Sequence, residues 1–569
     1  MGQTESERDP GGADQRFRAL FTQEWEWRLR QLPDGEDGQL PIADHLPHVD
    51  PGTEETRLNY WEEILAELDR IPRAELAPAN QTSFDVYRAQ LEVLLARQRF
   101  RQFEMPANSD SAFWTDLGYT ARRRFDEAAD YENWISQMED LPRYFEEQKE
   151  EMRAGLRRGF TPPRVTLGGR DASLTGVLTA SPEENLFYTP FRDISPSVPR
   201  SAHADLRRRA AEVISAKVQP AYQQLLTFFQ EEDLPGTRTT LAARELPDGE
   251  AYYASLLQEF TTLDLTPAQV HEIGLAEIER LEVEMSEVVR EVGFGGGLAQ
   301  FLIHLREDPR FYAKTPAELL SHAAWIAKVF DGKASRYFGR LPRRRFTIRP
   351  VPDDLAPFYT SGRGGPDEYL VNTYDLAHRP LYNLAALTLH ESAPGHSFQM
   401  SLALEETSLP DFRRHTYISA FGEGWALYCE WLGVEMDIYE TPYQRFGMLG
   451  YQSWRAARLV VDTGIHTMGW TRARALEYLQ DHTALPHHEV ETEIDRYIAM
   501  PAQALAYYLG EMRIRELRSR AESALGSSFR LPAFHDTVLQ LGSVPLAVLD
   551  RRIDQFIAEG GHSPYASDG

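Results

Sequence analysis

Residues 389–400 read LHESAPGHSFQM and place His390, Glu391 and His396 within seven positions. Two imidazoles and a carboxylate are the donors of a zinc site with a base beside it. The familiar spacing H-E-x-x-H sets its histidines four apart, about 40° around a helix, so that both face one ion. Here the separation is six, about 120° on the same wheel, and an unbroken helix cannot aim both rings at one point. Pro394 has no N–H to donate back to His390, and Gly395 relaxes the backbone. A bulge or kink over 393–395 would swing His396 towards His390 and leave Glu391 beside a metal site. In the competing reading Pro-Gly simply ends a core helix, with His390 and Glu391 hydrogen-bonded internally.

Three further clusters follow. The segment AFGEGWALYCEWLG (420–433) reads as a helix with Glu423 at its start and Glu430 seven residues on, along the same face. A carboxylate on a following helix is one standard third zinc ligand, and an acid near a helix N-terminus also gains from the dipole. In WRAARLVVDTGIHTMGW (454–470), Arg455 and Arg458 are three apart and Asp462 and His466 four apart, spacings that share a helix face. His466 could donate to an oxyanion, Asp462 could orient it, and either arginine could grip a substrate carboxylate. The alternative is an Arg-Asp surface network. In EIDRYIAMPAQALAYYLGEMRI (493–514), Arg496, Tyr497, Gln503, Tyr507 and Tyr508 offer donors, and a packed aromatic is the default for each tyrosine. His487-His488-Glu489 has the order reversed after a proline and reads as loop.

These clusters need a helical frame. Helical periodicity runs from Phe17 to Arg158, through LNYWEEILAELDRI and FDVYRAQLEVLLARQRF. A Pro/Gly/Ser-rich connection is expected over 160–200. Another helix starts with Thr266 as N-cap and Pro267 in the first helical position, and closes at the GFGGG run 293–297, which follows a helix and lacks the dinucleotide fingerprint. Strand character is confined to RRFTIRPV (344–351) and EYLVNTY (368–374), just before the motif helix. The second of these could pair with an extended substrate. Helical breaks are expected near Gly464, Pro486, Pro501 and Pro532. We expect a disordered lead over 1–15, an N-terminal helical part over 16–290 and a catalytic part over 291–560, in one continuous domain.

Net charge is −27 over 569 residues, from 87 acidic against 60 basic side chains, and this argues against a nucleic-acid surface. No apolar run approaches the roughly 20 residues of a membrane helix, and the polar N-terminus has no signal-like apolar stretch. Met1-Gly2 with Ser6 fits the loose myristoylation pattern, with nothing else pointing to an anchor. The single cysteine, Cys429, leaves no disulfide framework, and a cytoplasmic protein is expected.

Taken in order, LHESAPGHSFQ, FGEGWALYCEWLGVE, RAARLVVDTGIHTMGW, RYIAMPAQALAYYLG and FHDTVLQLGSVPLAVLD resemble the bacterial family called domain of unknown function 885, as does LTPAQVHEIGLAEIERLEVEM in the first half. That family is similar in fold to the carboxypeptidase Taq metallopeptidases. The resemblance implies a mainly α, zincin-like body with a deep cleft and a small β-sheet beside the active-site helix. It implies His390, His396 and Glu423 as ligands of one divalent ion, zinc, and Glu391 as general base. The family usually has P-G-Q where Pro501-Ala502-Gln503 stands, and often lysine at Tyr508. The expected activity is carboxypeptidase-like hydrolysis of short peptides, with His466 or Tyr507 on the oxyanion and Arg455, Arg458 and Gln503 on the substrate. The rivals are a non-peptide amide or ester hydrolase at the same metal, and a metal-free helical binding protein.

Overall fold

The computed structural model describes residues 10–33, 40–109, 111–353, 355–483 and 485–565. The chain divides into two compact units, Met1–Tyr252 and Tyr253–Gly569, so the division precedes the expected boundary at 290. The myristoylation pattern lies outside the described residues, as do residues 1–9 of the expected disordered lead. Residues 10–15 are helical instead, the first turns of α1 (Pro10–Gln31). Ala13 and Phe17 are buried there, and Asp14 accepts from Asn80 Nδ2 at 2.6 Å.

The N-terminal unit is helical. Its longest helix, α2 (Ala128–Arg158), buries Tyr131, Trp134, Ile135, Met138, Leu141 and Phe145, the stripe of three- and four-residue steps that a helix turns to a core. Trp134 stacks on Phe187 at 5.2 Å and donates to the Phe187 carbonyl at 3.0 Å. Residues 160–200 are a succession of short helical turns.

The C-terminal unit begins its long helices with α3 (Pro267–Glu291). As expected, Thr266 caps it, in a reciprocal box with Gln269, and Gly293 follows at φ +70°. The sheet has three strands, β1 (Thr347–Pro350), β2 (Gly362–Gly364) and β3 (Glu368–Val371), in the order β1-β3-β2. β1 pairs parallel and β2 antiparallel with β3. The expected pairing of an extended substrate with 368–374 therefore fails over β3, because the central strand has both edges occupied. β2 falls between the two expected strands, where no strand character shows because two of its three residues are glycine.

Next come α4 (Leu381–Glu391), α5 (His396–Glu405), α6 (Ser419–Glu435), α7 (Pro442–Met468), α8 (His487–Ala499) and α9 (Ala506–Leu525). α4 is mostly apolar and buried without a break from Tyr382 to His390, the signature of a central helix. It packs on α6 and α7, while α6 packs on α9. Two expectations fail here. Gly464 does not break α7, which runs on to Met468, because the missing side chain makes room for the Trp470 ring. His487-His488-Glu489 is not loop but the first turn of α8, with Pro486 in the N-cap position. Mainly α architecture with one small sheet is what the periodicity predicted. Among the described residues no helix is long and apolar enough to cross a membrane.

Candidate metal centre

The stretched motif is resolved by two helices rather than a kink in one. α4 ends at Glu391 and α5 starts at His396, with a four-residue turn between them that contains a cis Ala393-Pro394 bond. Ser392 turns its Oγ back to the Thr388 carbonyl at 2.6 Å, and the Gly395 N–H reaches the Leu389 carbonyl at 3.0 Å. A Cβ on Gly395 would stand 1.9 Å from the His390 carbonyl oxygen, so only glycine allows the chain to fold back this closely. Trp425 Nε1 donates to the Pro394 carbonyl at 2.8 Å and ties the turn to α6. The rings of His390 and His396 consequently lie 4.8 Å apart, nearly perpendicular.

Glu423, in the first turns of α6, completes the group. Its Oε2 is 3.4 Å from His390 Nε2 and 3.3 Å from His396 Nε2, and it has no hydrogen-bond partner. Those separations are long for a charge-assisted hydrogen bond, which runs about 2.7–2.9 Å. Four ligands arranged tetrahedrally about 2.0–2.1 Å from a centre stand about 3.3–3.4 Å from one another. Two imidazoles and a carboxylate at this spacing fit a zinc-sized ion. Both histidines are buried. Burial alone would lower the His390 pKa, but the Glu423 and Glu430 carboxylates outweigh it and raise it to about 9. Burial likewise opposes the charge on Glu423, and the two imidazoles hold its pKa well below the usual carboxylate range.

The surrounding residues have definite places. His390 Nδ1 faces Glu430 Oε1 at 2.8 Å. Glu391, adjacent to His390, accepts the Gly364 N–H of β2 on Oε2 at 2.7 Å. Tyr417 is a site residue that no sequence motif flagged: burial and the Glu423 carboxylate, to which it is hydrogen-bonded, push its hydroxyl pKa well up. Its ring fills the space a side chain on Gly422 would need, which explains the glycine before Glu423.

A match to the model of the family described as bacterial protein of unknown function (DUF885) spans residues 34–553. The chain belongs to that family. Among solved structures it is similar to one described as a putative lipoprotein from Colwellia psychrerythraea, with 26% identity and a TM-score of 0.88 over 96% of this chain and 99% of that one. It is also similar in fold to a putative lipoprotein of unknown function from Shewanella oneidensis, with 17% identity and a TM-score of 0.68 over the same shares. None of the curated proteins compared with it matches.

The remaining expected residues of this DUF885 chain separate into two groups. Tyr507 belongs to the centre, its ring 6.2 Å from that of His390 and inclined by 15°. Arg458 lies over the other neighbours: its Cζ is 4.4 Å from the Tyr507 ring, and it donates to Tyr497 Oη at 2.8 Å and Glu493 at 3.0 Å. Arg496 pairs with the same Glu493 at 2.9 Å and donates to Gln503 at 2.6 Å. Burial works against the Glu493 charge, yet Arg496 and Arg458 bring its pKa down to about 2. His466 and Asp462 stand apart. His466 Nε2 bonds the Tyr497 carbonyl at 2.9 Å, and Asp462 receives Tyr253 Oη at 2.6 Å and the Ala502 N–H. Arg455, Arg458 and Asp462 are all buried, which excludes a surface network. Ala502 has φ +68°, the conformation for which glycine is suited, and Tyr508 turns to Glu277 and Arg280 of α3.

Proposed function

We propose that this protein is a zinc-dependent hydrolase of amide bonds in short peptides, carboxypeptidase-like in its chemistry. The observation that carries this reading is the bare Glu423 Oε2, poised 3.3–3.4 Å from two imidazole nitrogens. His390, His396 and Glu423 would hold the ion. Zinc there supplies a Lewis acid that lowers the pKa of water towards about 7 and polarises a carbonyl. Glu391, with one carboxylate oxygen fixed by Gly364, takes the water proton on the other and passes it to the leaving nitrogen. Tyr507, beside the imidazoles, is better placed than His466 to donate to the oxyanion, since His466 Nε2 is turned to Tyr497. Arg458 lies over Tyr507, 4.4 Å from its ring, while Arg455 faces Glu430, which favours Arg458 for a substrate carboxylate. Gln503 reaches that region through Arg496.

An extended substrate would pair with β2 rather than β3. The hydrogen bonds Gly365 N–H to Glu368 and Asn372 N–H to Ser361 set the register, so Gly362 and the Gly364 carbonyl turn away from β3, while the Gly364 N–H is held by Glu391. The acidic charge balance leaves nucleic acid outside this reading, and no described helix is long and apolar enough to cross a membrane. A cytoplasmic location is part of it, supported by a lone cysteine that is fully buried in α6; cell fractionation of the tagged protein would test it.

Protein purified without chelator should carry close to one zinc by elemental analysis, and His390→Ala should carry none. It should cleave members of a di- to octapeptide panel, with Glu391→Gln slowed about 10²–10⁴-fold. Turnover of small amides or esters alone would favour the non-peptide hydrolase. Absence of metal and turnover would leave a buried imidazolium–carboxylate cluster in a binding protein.

A further inference from the structure

Glu430 lies two helical turns beyond Glu423 on α6 and is fully buried. A buried carboxylate must be met by donors. Its Oε1 has two neighbours, His390 Nδ1 at 2.8 Å and Arg455 Nη2 at 3.5 Å, while its Oε2 has no hydrogen-bond partner. Arg455 is itself buried, with its guanidinium 4.4 Å from the Tyr451 ring and 4.3 Å from the Trp454 ring. Two aromatic rings pack against the guanidinium, and its Nη2 faces Glu430. Tyr439 Oη donates to the Glu430 carbonyl at 2.6 Å, which fixes the helix at this point.

We propose that Glu430, held by Arg455, is a positioning residue for His390 and sets how tightly the centre holds its ion. This rests on the metal reading above. A carboxylate only accepts, so it keeps the hydrogen on Nδ1 and leaves Nε2, which stands beside Glu423 Oε2, to bind the ion. One rigid helix then supplies both a ligand, Glu423, and the group that orients another ligand, Glu430. The separation of seven residues keeps both on the face that meets α4. Arg455 thereby has a task other than gripping substrate: it balances the Glu430 charge. Outer-shell partners of this kind typically contribute about 10–100-fold in metal affinity.

The test is zinc affinity by competition with a chromogenic chelator, alongside urea unfolding in excess chelator. Glu430→Ala should bind zinc about 10–100-fold more weakly than wild type. Glu430→Gln should recover most of the loss, because its amide oxygen still accepts from Nδ1–H. Glu430→Asp, shortened by one methylene, should fall between them, and it serves if the alanine variant does not fold. Weakened binding with an unchanged unfolding midpoint supports positioning. Wild-type affinity in Glu430→Asp, or in a folded Glu430→Ala, overturns this inference while leaving the metal reading intact. Wild-type protein that takes up no zinc overturns both.

Discussion

Glu151 in the N-terminal unit and Glu423 in the C-terminal unit both have carboxylate oxygens buried without a hydrogen-bond partner. Their electrostatics are opposite. Burial, reinforced by the charge of Glu104, pushes the Glu151 pKa up to about 7. Glu423 suffers the same burial, yet the two imidazoles hold its pKa well below the ordinary value. An isolated buried acid copes by keeping its proton. Glu423 stays charged because two imidazoles face its Oε2, at 3.4 Å from His390 and 3.3 Å from His396. A lone unsatisfied group is a local cost, whereas a convergent set is a site.

The same substitution at the two positions should therefore have opposite consequences. Glu423→Gln removes the charge from a buried pair and should destabilise the metal-free protein by about 3 kcal/mol at pH 7. Urea unfolding in excess chelator measures this, and an unchanged midpoint would mean that the imidazoles do not need their carboxylate. Glu151→Gln instead mimics the form the fold already favours. The Glu151 pKa rises from 4.5 unfolded to about 7 folded, so its contribution is fully present below pH 4.5 and is lost as pH climbs through about 7. The variant should gain about 1–3 kcal/mol over wild type at pH 8 and little at pH 5. An equal shift at both pH values would show that packing, not ionisation, is responsible.

The comparison also shows where sequence reading reaches. The four motif clusters and the long helices were legible, since periodicity and capping are local: Thr266, Pro267 and Gln269 act within one turn. The convergence of His390 and His396 was legible only as a possibility, because it depends on a turn closed by Gly395 against the His390 carbonyl and pinned by Trp425 from another helix. Tyr417 could not be found by spacing, for it precedes α6 and acts through the gap left by Gly422. Glu430 was visible on the right face, but its partner lies 40 residues away on α4. Glu493 was passed over among more conspicuous tyrosines, though two arginines converge on it. β2 was missed because glycines have no strand signature.

The smallest expected effect contrasts two backbone positions, one in each unit. Arg101 and Ala502 both adopt left-handed conformations, at φ +57° and +68°. A side chain there costs roughly 1–2 kcal/mol, and glycine returns roughly 0.5–1 kcal/mol of that through its freer unfolded chain. Arg101 has a reason to keep its side chain, an ion pair to buried Glu104 at 2.7 Å. Ala502 has only a methyl group, while its useful contact, the N–H to Asp462 at 3.0 Å, belongs to the backbone and survives substitution. Ala502→Gly should accordingly stabilise the protein by about 0.5 kcal/mol, and Arg101→Gly should not. Urea midpoints resolve the pair. A loss of stability in Ala502→Gly would mean that the buried methyl contributes more than its backbone conformation costs.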